Sequence, residues 1–321
     1  MTDREWLEHA LELAEQGRGM TVPNPVVGAV IVREGEIVGE GWHERAGGPH
    51  GEIAALRAAG EKARGATLYV TLEPCAHRGR TPPCADAVIA AGIARVVATV
   101  GDPNPETDGA GFERLRAAGV EVELPGGELE WRARAQNEAY RVWMAERRPL
   151  VIYKAALTVD GRVRVPGTRW VTGEESRRRV HELRARMDAV AVGMGTVRAD
   201  NPRLTARDVG AGRQPRRLAF GRGPLPKGSE LELVSGPLDE ELGRLAVEGV
   251  QSLLVEGGPT LATAFVIAGL VDKLMLFVAP TLAGAGPRWL GDLPEAVTLL
   301  RSSAERVGED LLLTAYLRDL P

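Results

Sequence analysis

Short valine-rich runs alternate with helical segments along nearly the whole chain, and this alternation limits the fold more than any other feature. "VVGAVIVREGEIVGEGWH" is two apolar-rich runs around Glu34-Gly35, a hairpin signal. "HGEIAALRAAGEKA" reads as a helix, "ATLYVTLEP" as a strand ended by Pro74, and "PCADAVIAAGI" as a helix closed by Gly92. The strand "ARVVATV" and a further step, "GFERLRAAG" then "VEVEL", follow. Before them, residues 3–17 read as a helix with Leu7, Leu11 and Ala14 on one face. A β–α–β alternation of this kind predicts a layered α/β domain.

The pattern then restarts. A long helix, "ELEWRARAQNEAYRVWMAE", leads to "RRPL", and Pro149 marks a boundary near residue 148. Beyond it come the strand "LVIYKAALTVDG", the charged helix "GEESRRRVHELRARM" and the strand "DAVAVGMG". "QSLLVEGG", the helix "PTLATAFVIAGL" and the strand "DKLMLFVAP" continue the series. With 321 residues the chain is too long for one ordinary core, so two α/β domains are expected, 1–147 and 148–321. The stretch "GRGPLPKGSELELVSGPLDEE" is the least legible part.

Charge and hydropathy narrow the function. The net charge of −4 argues against a general nucleic-acid binder. Residues 1–149 hold 23 acidic and 17 basic side chains, a net of −6, which leaves 21 and 23, a net of +2, for the remainder. The second half is therefore the better host for anionic ligands. No apolar run approaches the ~20 residues of a membrane span. The opening "MTDREWLEHALELAEQG" is an acidic amphipathic pattern without a signal-peptide core, so a reducing cytoplasm is expected.

The two cysteines, Cys75 and Cys84, both fall in "TLEPCAHRGRTPPCADAV". In a reducing compartment the choices are inert burial, redox chemistry or metal binding. Cys84 follows "TPP" at a helix start, where backbone amides favour thiolate, and Cys75 follows the end of a strand. "GGPHGEIAAL" adds His50 and, two residues on, Glu52. One histidine and two cysteines give zinc three ligands and leave a fourth position open; a closed structural site would need another ligand, with His77 the nearest candidate. Zinc deaminases carry H-x-E followed by P-C-x-x-C, with the glutamate as proton shuttle. "HGE" and "EPC" match, although eight residues separate the cysteines here. Each piece alone suits a packed core; together they point to catalytic zinc with His50, Cys75 and Cys84 as ligands and Glu52 as the acid–base residue.

The second half carries weaker signals. "GMGTVRAD" has Gly193 and Gly195 after a strand, but Arg198 stands where a dinucleotide fingerprint wants its third glycine. In "VEGGPTLATAF", Gly257 and Gly258 end a strand and open a helix, which makes either an anion seat or a plain tight turn.

"TVPNPVVGAVIV", "PHGE", "TLEPCAHRGRTPPC" and "GDPNP" together resemble the deaminase half of the bifunctional riboflavin-biosynthesis deaminase/reductase family. "LTVDGRV", "RWVTGEESR", "DAVAVGMGTVRADNPRLTAR" and "LLVEGGPTL" resemble its reductase half. The resemblance implies a cytidine-deaminase-like three-layer α/β/α domain followed by a dihydrofolate-reductase-like α/β domain. It implies a phosphorylated aminopyrimidine, 2,5-diamino-6-(5-phosphoribosylamino)pyrimidin-4(3H)-one, that loses its C2 amino group, after which NADPH reduces the ribosyl chain to ribityl.

By the same resemblance Asn24 holds the pyrimidine edge and Arg80, with His77, lines the entrance toward the phosphate. Lys154, Trp170, Thr196, Asp200, Gly257 and Gly258 would meet NADPH. Thr168, Arg184, Leu204, Arg207 and Glu256 would meet the substrate, the two arginines as phosphate partners with paired donors. Asp200 and Glu256 are the two choices for a proton donor or orienting acid. A dimer or tetramer through the second domain is also implied. The chain departs from the family at Gly51, usually alanine, and in the segment 221–249, which is shortened and has "GRGPLP" where an aspartate usually follows the strand. A zinc deaminase with an inactive reductase-like domain is the alternative that this shortening raises.

Overall fold

The structure, a computed structural model, describes residues 1–76, 83–105 and 107–321. It divides into two compact units, Met1–Glu146 with Leu320–Pro321, and Arg147–Asp319.

In the first unit the chain runs α1 (Asp3–Glu15), β1 (Gly28–Arg33), β2 (Glu36–Trp42), α2 (Gly51–Ala59), β3 (Thr67–Val70), α3 (Cys84–Ala90), β4 (Arg95–Ala98), α4 (Ala110–Ala117), β5 (Glu121–Glu123), α5 (Gly127–Gln136) and α6 (Glu138–Glu146). Thr2 and Glu5 start α1 as a reciprocal capping box. The sheet has the order β2-β1-β3-β4-β5, antiparallel on its β2-β1-β3 side and parallel from β3 to β5. Glu34 and Gly35 turn the β1–β2 hairpin with φ of 53° and 81°, the left-handed pair that suits a two-residue loop.

Glycines let helices approach both faces of this sheet. A Cβ on Gly28 would stand 2.0 Å from the Ala10 carbonyl oxygen of α1, and one on Gly39 2.4 Å from that of Ala55 in α2. Because side chains alternate along a strand, Gly28 and Gly39 face opposite sides, and the unit is a three-layer sandwich. Its core is the aliphatic set Leu7, Ala29, Ile31, Leu68, Val96 and Leu115, all fully buried.

The long helix expected over residues 128–146 is broken. Asn137 leaves the helical path because its amide pairs with the backbone of Val26, donating to the carbonyl and accepting from the N–H at 2.9 Å each. A long-range bidentate bond thus overrides local helix propensity.

The second unit comprises β6 (Leu150–Thr158), α7 (Glu174–Arg186), β7 (Ala189–Gly193), α8 (Met194–Asp200), β8 (Arg216–Phe220), β9 (Glu232–Val234), α9 (Leu238–Val247), β10 (Ser252–Val255), α10 (Pro259–Ile267), β11 (Lys273–Ala279), β12 (Leu300–Val307) and β13 (Asp310–Tyr316). Its sheet order is β12-β13-β11-β6-β10-β7-β8-β9, parallel from β11 to β9, with an antiparallel hairpin on the other edge. The segment 221–249, which includes the least legible stretch, supplies β9 and α9, and so completes the crossover from β8 to β10.

Two carboxylates fasten the entry ends of the parallel strands. Asp188 accepts the N–H groups of Gln251 and Ser252, which joins the start of β7 to that of β10. Asp272, fully buried before β11, accepts both terminal nitrogens of Arg148 (2.6 and 2.7 Å) and the N–H of Val151. The register thereby fixed pairs Met275 with Lys154. No helix among the described residues is long and apolar enough to cross a membrane. Asp272→Ala leaves the Arg148 guanidinium buried without its carboxylate and should destabilise the second unit by ~3–5 kcal/mol, measured as a fall in the urea midpoint of its unfolding transition.

Candidate functional site

Three element ends deliver the metal-type donors of the first unit. Cys75 lies beyond the end of β3, His50 is the N-cap of α2, and Cys84 opens α3. His50 Nδ1 lies 3.2 Å from Cys84 Sγ and 3.7 Å from Cys75 Sγ, and the three donor atoms fall within 4.8 Å of one another. Bonds of ~2.3 Å to sulfur and ~2.0 Å to nitrogen at tetrahedral angles put such atoms roughly 3.5–3.8 Å apart. The constellation therefore fits a zinc-sized ion, with His50 binding through Nδ1.

The two thiols are buried and unequal. The hydrogen bond from Cys84 outweighs burial at Cys75 and lowers its pKa to about 4, helped by His50 and by the Cys84 N–H at 3.3 Å. The same bond, with burial, raises the Cys84 thiol. Contact with Cys75 raises His50 in turn. Glu52 follows in the first turn of α2, 3% exposed, and burial pushes its carboxyl up to about 7. Its Oε2 has no hydrogen-bond partner among the described residues. A buried acceptor left in that state costs about 1–3 kcal/mol, so the site is built for a donor supplied from its cavity.

That cavity, about 480 Å³, is lined by His50, Glu52 and Cys75 at one side and by Asn24, His43, Asp102, Asn104, Tyr140 and Trp143 elsewhere. Asn24 is where the resemblance puts a pyrimidine contact. Arg80 and His77 lie outside the described residues. His43, Asp102 and Tyr140 went unread in the sequence; "GDPNP" was the one signal, because it brings Asp102 and Asn104 here. The Tyr140 hydroxyl donates to Asp102 Oδ1 at 3.0 Å.

Glu73 ties the ligand segment to that wall. Its carboxylate accepts the N–H groups of Asp102, Gly109, Gly111 and Phe112 at 2.8–3.3 Å. One buried side chain, two residues before Cys75, thus holds both the Asp102 loop and the first turn of α4, whose own N-cap is a glycine.

In the second unit a cavity of about 390 Å³ opens at the carboxyl ends of β7 and β10, where doubly wound sheets bind ligands. Lys154, Thr196, Asp200, Glu256, Gly257 and Gly258 line it together. Gly257, Gly258, Gly193 and Gly195 leave bare backbone around the start of α10, and the Tyr153 hydroxyl donates to the Gly257 carbonyl at 3.2 Å. This stretch of bare backbone at a helix start fits a pyrophosphate. The Glu256 side chain is largely buried, 8% exposed. Burial alone would raise its carboxyl, but the Lys154 and Arg184 cations outweigh that and hold it at about 2. Arg184 grips it with two bonds, 2.6 and 2.9 Å, and Lys154 Nζ stands at 3.3 Å.

The remaining expected residues sit outside this cavity's lining. Arg184 directs its paired donors at Glu256 and its other terminal nitrogen at the Thr205 carbonyl. Leu204 is buried with φ of 54°. Arg207 is exposed. Thr168 donates to local carbonyls, and Trp170, 53% exposed, lies between the Arg169 and Arg177 guanidinium groups at 4.9 and 5.1 Å from its ring centre.

Residues 1–100 match the cytidine and deoxycytidylate deaminase zinc-binding region, and residues 149–313 match the RibD C-terminal domain. The riboflavin biosynthesis protein RibD of Aquifex aeolicus is 41% identical over 349 aligned positions, covering 97% of each chain. That of Escherichia coli is 41% identical over 339, covering 92% of each. The solved structure of Acinetobacter baumannii RibD superposes with a TM-score of 0.84 at 37% identity, covering 98% of both chains. A diaminohydroxyphosphoribosylaminopyrimidine deaminase/5-amino-6-(5-phosphoribosylamino)uracil reductase from Thermotoga maritima gives 0.82 at 33%, again over 98% of both. The chain belongs to the RibD family of riboflavin-biosynthesis enzymes, in which a zinc-dependent deaminase is joined to an NADPH-using reductase.

Proposed function

We propose that residues 1–147 remove the C2 amino group of 2,5-diamino-6-(5-phosphoribosylamino)pyrimidin-4(3H)-one, and that residues 148–321 reduce the ribosyl chain to give 5-amino-6-(5-phosphoribitylamino)uracil. The observation that carries the first half is the meeting of His50 Nδ1 and two sulfur atoms beside a buried carboxylate oxygen that lacks a partner among the described residues. When bound there, zinc supplies a water acidified toward a pKa of ~7. Glu52 would carry the two protons of the attacking water in turn, the first to the ring nitrogen and the second to the departing amine, so water enters, ammonia leaves and C2 becomes a carbonyl. Burial favours the neutral carboxyl and suits Glu52 to hold each proton between transfers. Asn24 holds the pyrimidine edge, and Arg80 faces the phosphate.

For the second half NADPH supplies a hydride for the sugar C1′. Gly257, Gly258 and the start of α10 seat its phosphates, with Lys154, Thr196, Asp200 and Trp170 as further contacts. Glu256 stays ionised between two cations and orients Lys154, so it is the orienting acid and Asp200 the remaining choice for a proton donor. Arg184, engaged with Glu256, braces that pair, while exposed Arg207 meets the substrate phosphate; Thr168 and Leu204 complete the substrate side. A homo-oligomer through the second unit is supported by the exposed edge strand β12 and the exposed Leu299 and Leu311. The two unpaired thiols suit a cytoplasmic setting.

Glu52→Gln should keep its zinc by metal analysis and lose at least ~100-fold in ammonia release, whereas Cys75→Ser should lose the zinc itself. Ammonia release in Glu52→Gln equal to the parent's would remove Glu52 from the chemistry. Loss of NADPH absorbance with the deaminated intermediate tests the reductase, and its absence favours a deaminase with an inactive partner domain. The folded-state pKa of Glu256 lies below the ordinary 4.5, so its contribution to stability is complete above that value and fades as pH falls toward 2. Glu256→Gln should remove this acid-side slope and cost ~3–5 kcal/mol at neutral pH, measured by denaturant titration across the pH range. Light scattering should give a mass above that of one chain.

A further inference from the structure

His43 follows β2 directly, is 2% exposed, and stands beside Asn24 in the wall of the first cavity. Its Nδ1 lies 2.9 Å from the Pro49 carbonyl oxygen and its Nε2 3.2 Å from Asn24 Nδ2. A carbonyl only accepts, so Nδ1 carries the ring proton and donates it. An amide nitrogen only donates, so Nε2 is the bare lone pair that receives the Asn24 N–H. Both bonds hold together in one tautomer alone. With Nδ2 turned to the imidazole, Oδ1, which takes no hydrogen bond from the described residues, is the face that Asn24 offers to the cavity.

We propose that His43 is a positioning residue that locks the Asn24 amide with its oxygen toward the substrate, so that the site selects a pyrimidinone presenting a ring N–H beside the attacked carbon over a ring that has no N–H there. An amide's two ends are nearly equal in size, so shape alone does not choose between them; a neighbour with fixed polarity does. A pyrimidin-4(3H)-one carries its proton on N3, adjacent to the C2 that is attacked, and supplies that donor. A cytosine-type ring is attacked at C4, between N3 and C5; with N3 in the place of the ring nitrogen that takes the proton, its other neighbour is C5–H, which leaves the Asn24 oxygen without a donor in a buried site. The inference rests on the deaminase reading proposed above and deepens its substrate selection.

The zinc-loaded enzyme, labelled with ¹⁵N at histidine, should show His43 with a protonated Nδ1 and a bare Nε2. An Nε2–H signal overturns the proposal, whatever the activity. Two substitutions then separate polarity from packing. His43→Gln can keep an acceptor toward Asn24 while giving up the Pro49 bond; His43→Asn can keep a donor to Pro49 while giving up the acceptor. With the diaminopyrimidinone as substrate, ammonia release should give a KM raised by no more than about threefold for His43→Gln and roughly tenfold for His43→Asn, at similar kcat. The reverse order would assign His43 to holding the Pro49 turn and overturn the proposal. In an Asn24→Ala background His43→Asn should add nothing further, and a full additional rise in KM also overturns it. A parent enzyme that releases no ammonia would dismiss the deaminase reading, and the tautomer spectrum would still decide how His43 holds Asn24.

Discussion

Two sulfur atoms and one imidazole nitrogen meet in the first unit with no room for error, and the layered fold around them is what makes the meeting possible. Each donor sits at an element end: a strand exit and two helix starts. Strand ends are held by the sheet ladder, while helix starts offer N–H groups that stabilise nearby negative charge. Here the N–H of Cys84 points at Cys75 Sγ, so the backbone favours the same thiolate that a metal would require. The small residues at the strand–helix contacts serve that end. Without glycine at positions 28 and 39, α1 and α2 could not lie so close to the sheet, and His50 at the head of α2 would move with the helix.

Carboxylates organise both sites, by opposite electrostatics. Glu73 is buried among backbone donors and makes no ion pair among the described residues, so it works as a rigid staple between the Cys75 segment and the Asp102 loop. Glu256 is buried between two cations and remains ionised, so it holds charge in place at the mouth of a groove. Glu52 has neither arrangement, and its carboxyl is the one that burial pushes up to about 7. Burial is common to all three. What differs is whether several N–H groups meet the oxygens, two cations do, or one oxygen is left without a partner among the described residues, and that difference matches staple, anchor and proton carrier.

The sequence made the α/β alternation legible because each step carries a local signal: valine-rich runs, a glycine stop, a turn at Glu34-Gly35. His50, Glu52, Cys75 and Cys84 were legible as a set because metal chemistry requires few residue types at element ends. The break at Asn137 was not, since it depends on a bond to Val26, distant along the chain. The hairpin β12–β13 gave little pattern, because β12 is exposed along nearly its whole length and needs no alternation. His43 looked like any histidine after a strand until the fold set Asn24 on one side and Pro49 on the other. Arg184 is expected as a phosphate partner from the resemblance and its paired donors; the fold places Glu256, 72 residues further on, against it.

The spacing between the cysteines shows how such a site tolerates change. The familiar deaminase pattern leaves two residues between them, and this chain has eight. The position of Cys84 is nevertheless set by contacts that do not count residues. Its own N–H meets Cys75 Sγ at 3.3 Å, and the next N–H, that of Ala85, meets the Cys75 carbonyl oxygen at 3.2 Å. Cys75 thus acts as a remote cap for the first turn of α3, satisfying amides that every helix start leaves open. Any connection that returns the chain to this cap delivers the second sulfur to the same place. The length of the connection can then vary while the donor geometry stays under the control of the helix.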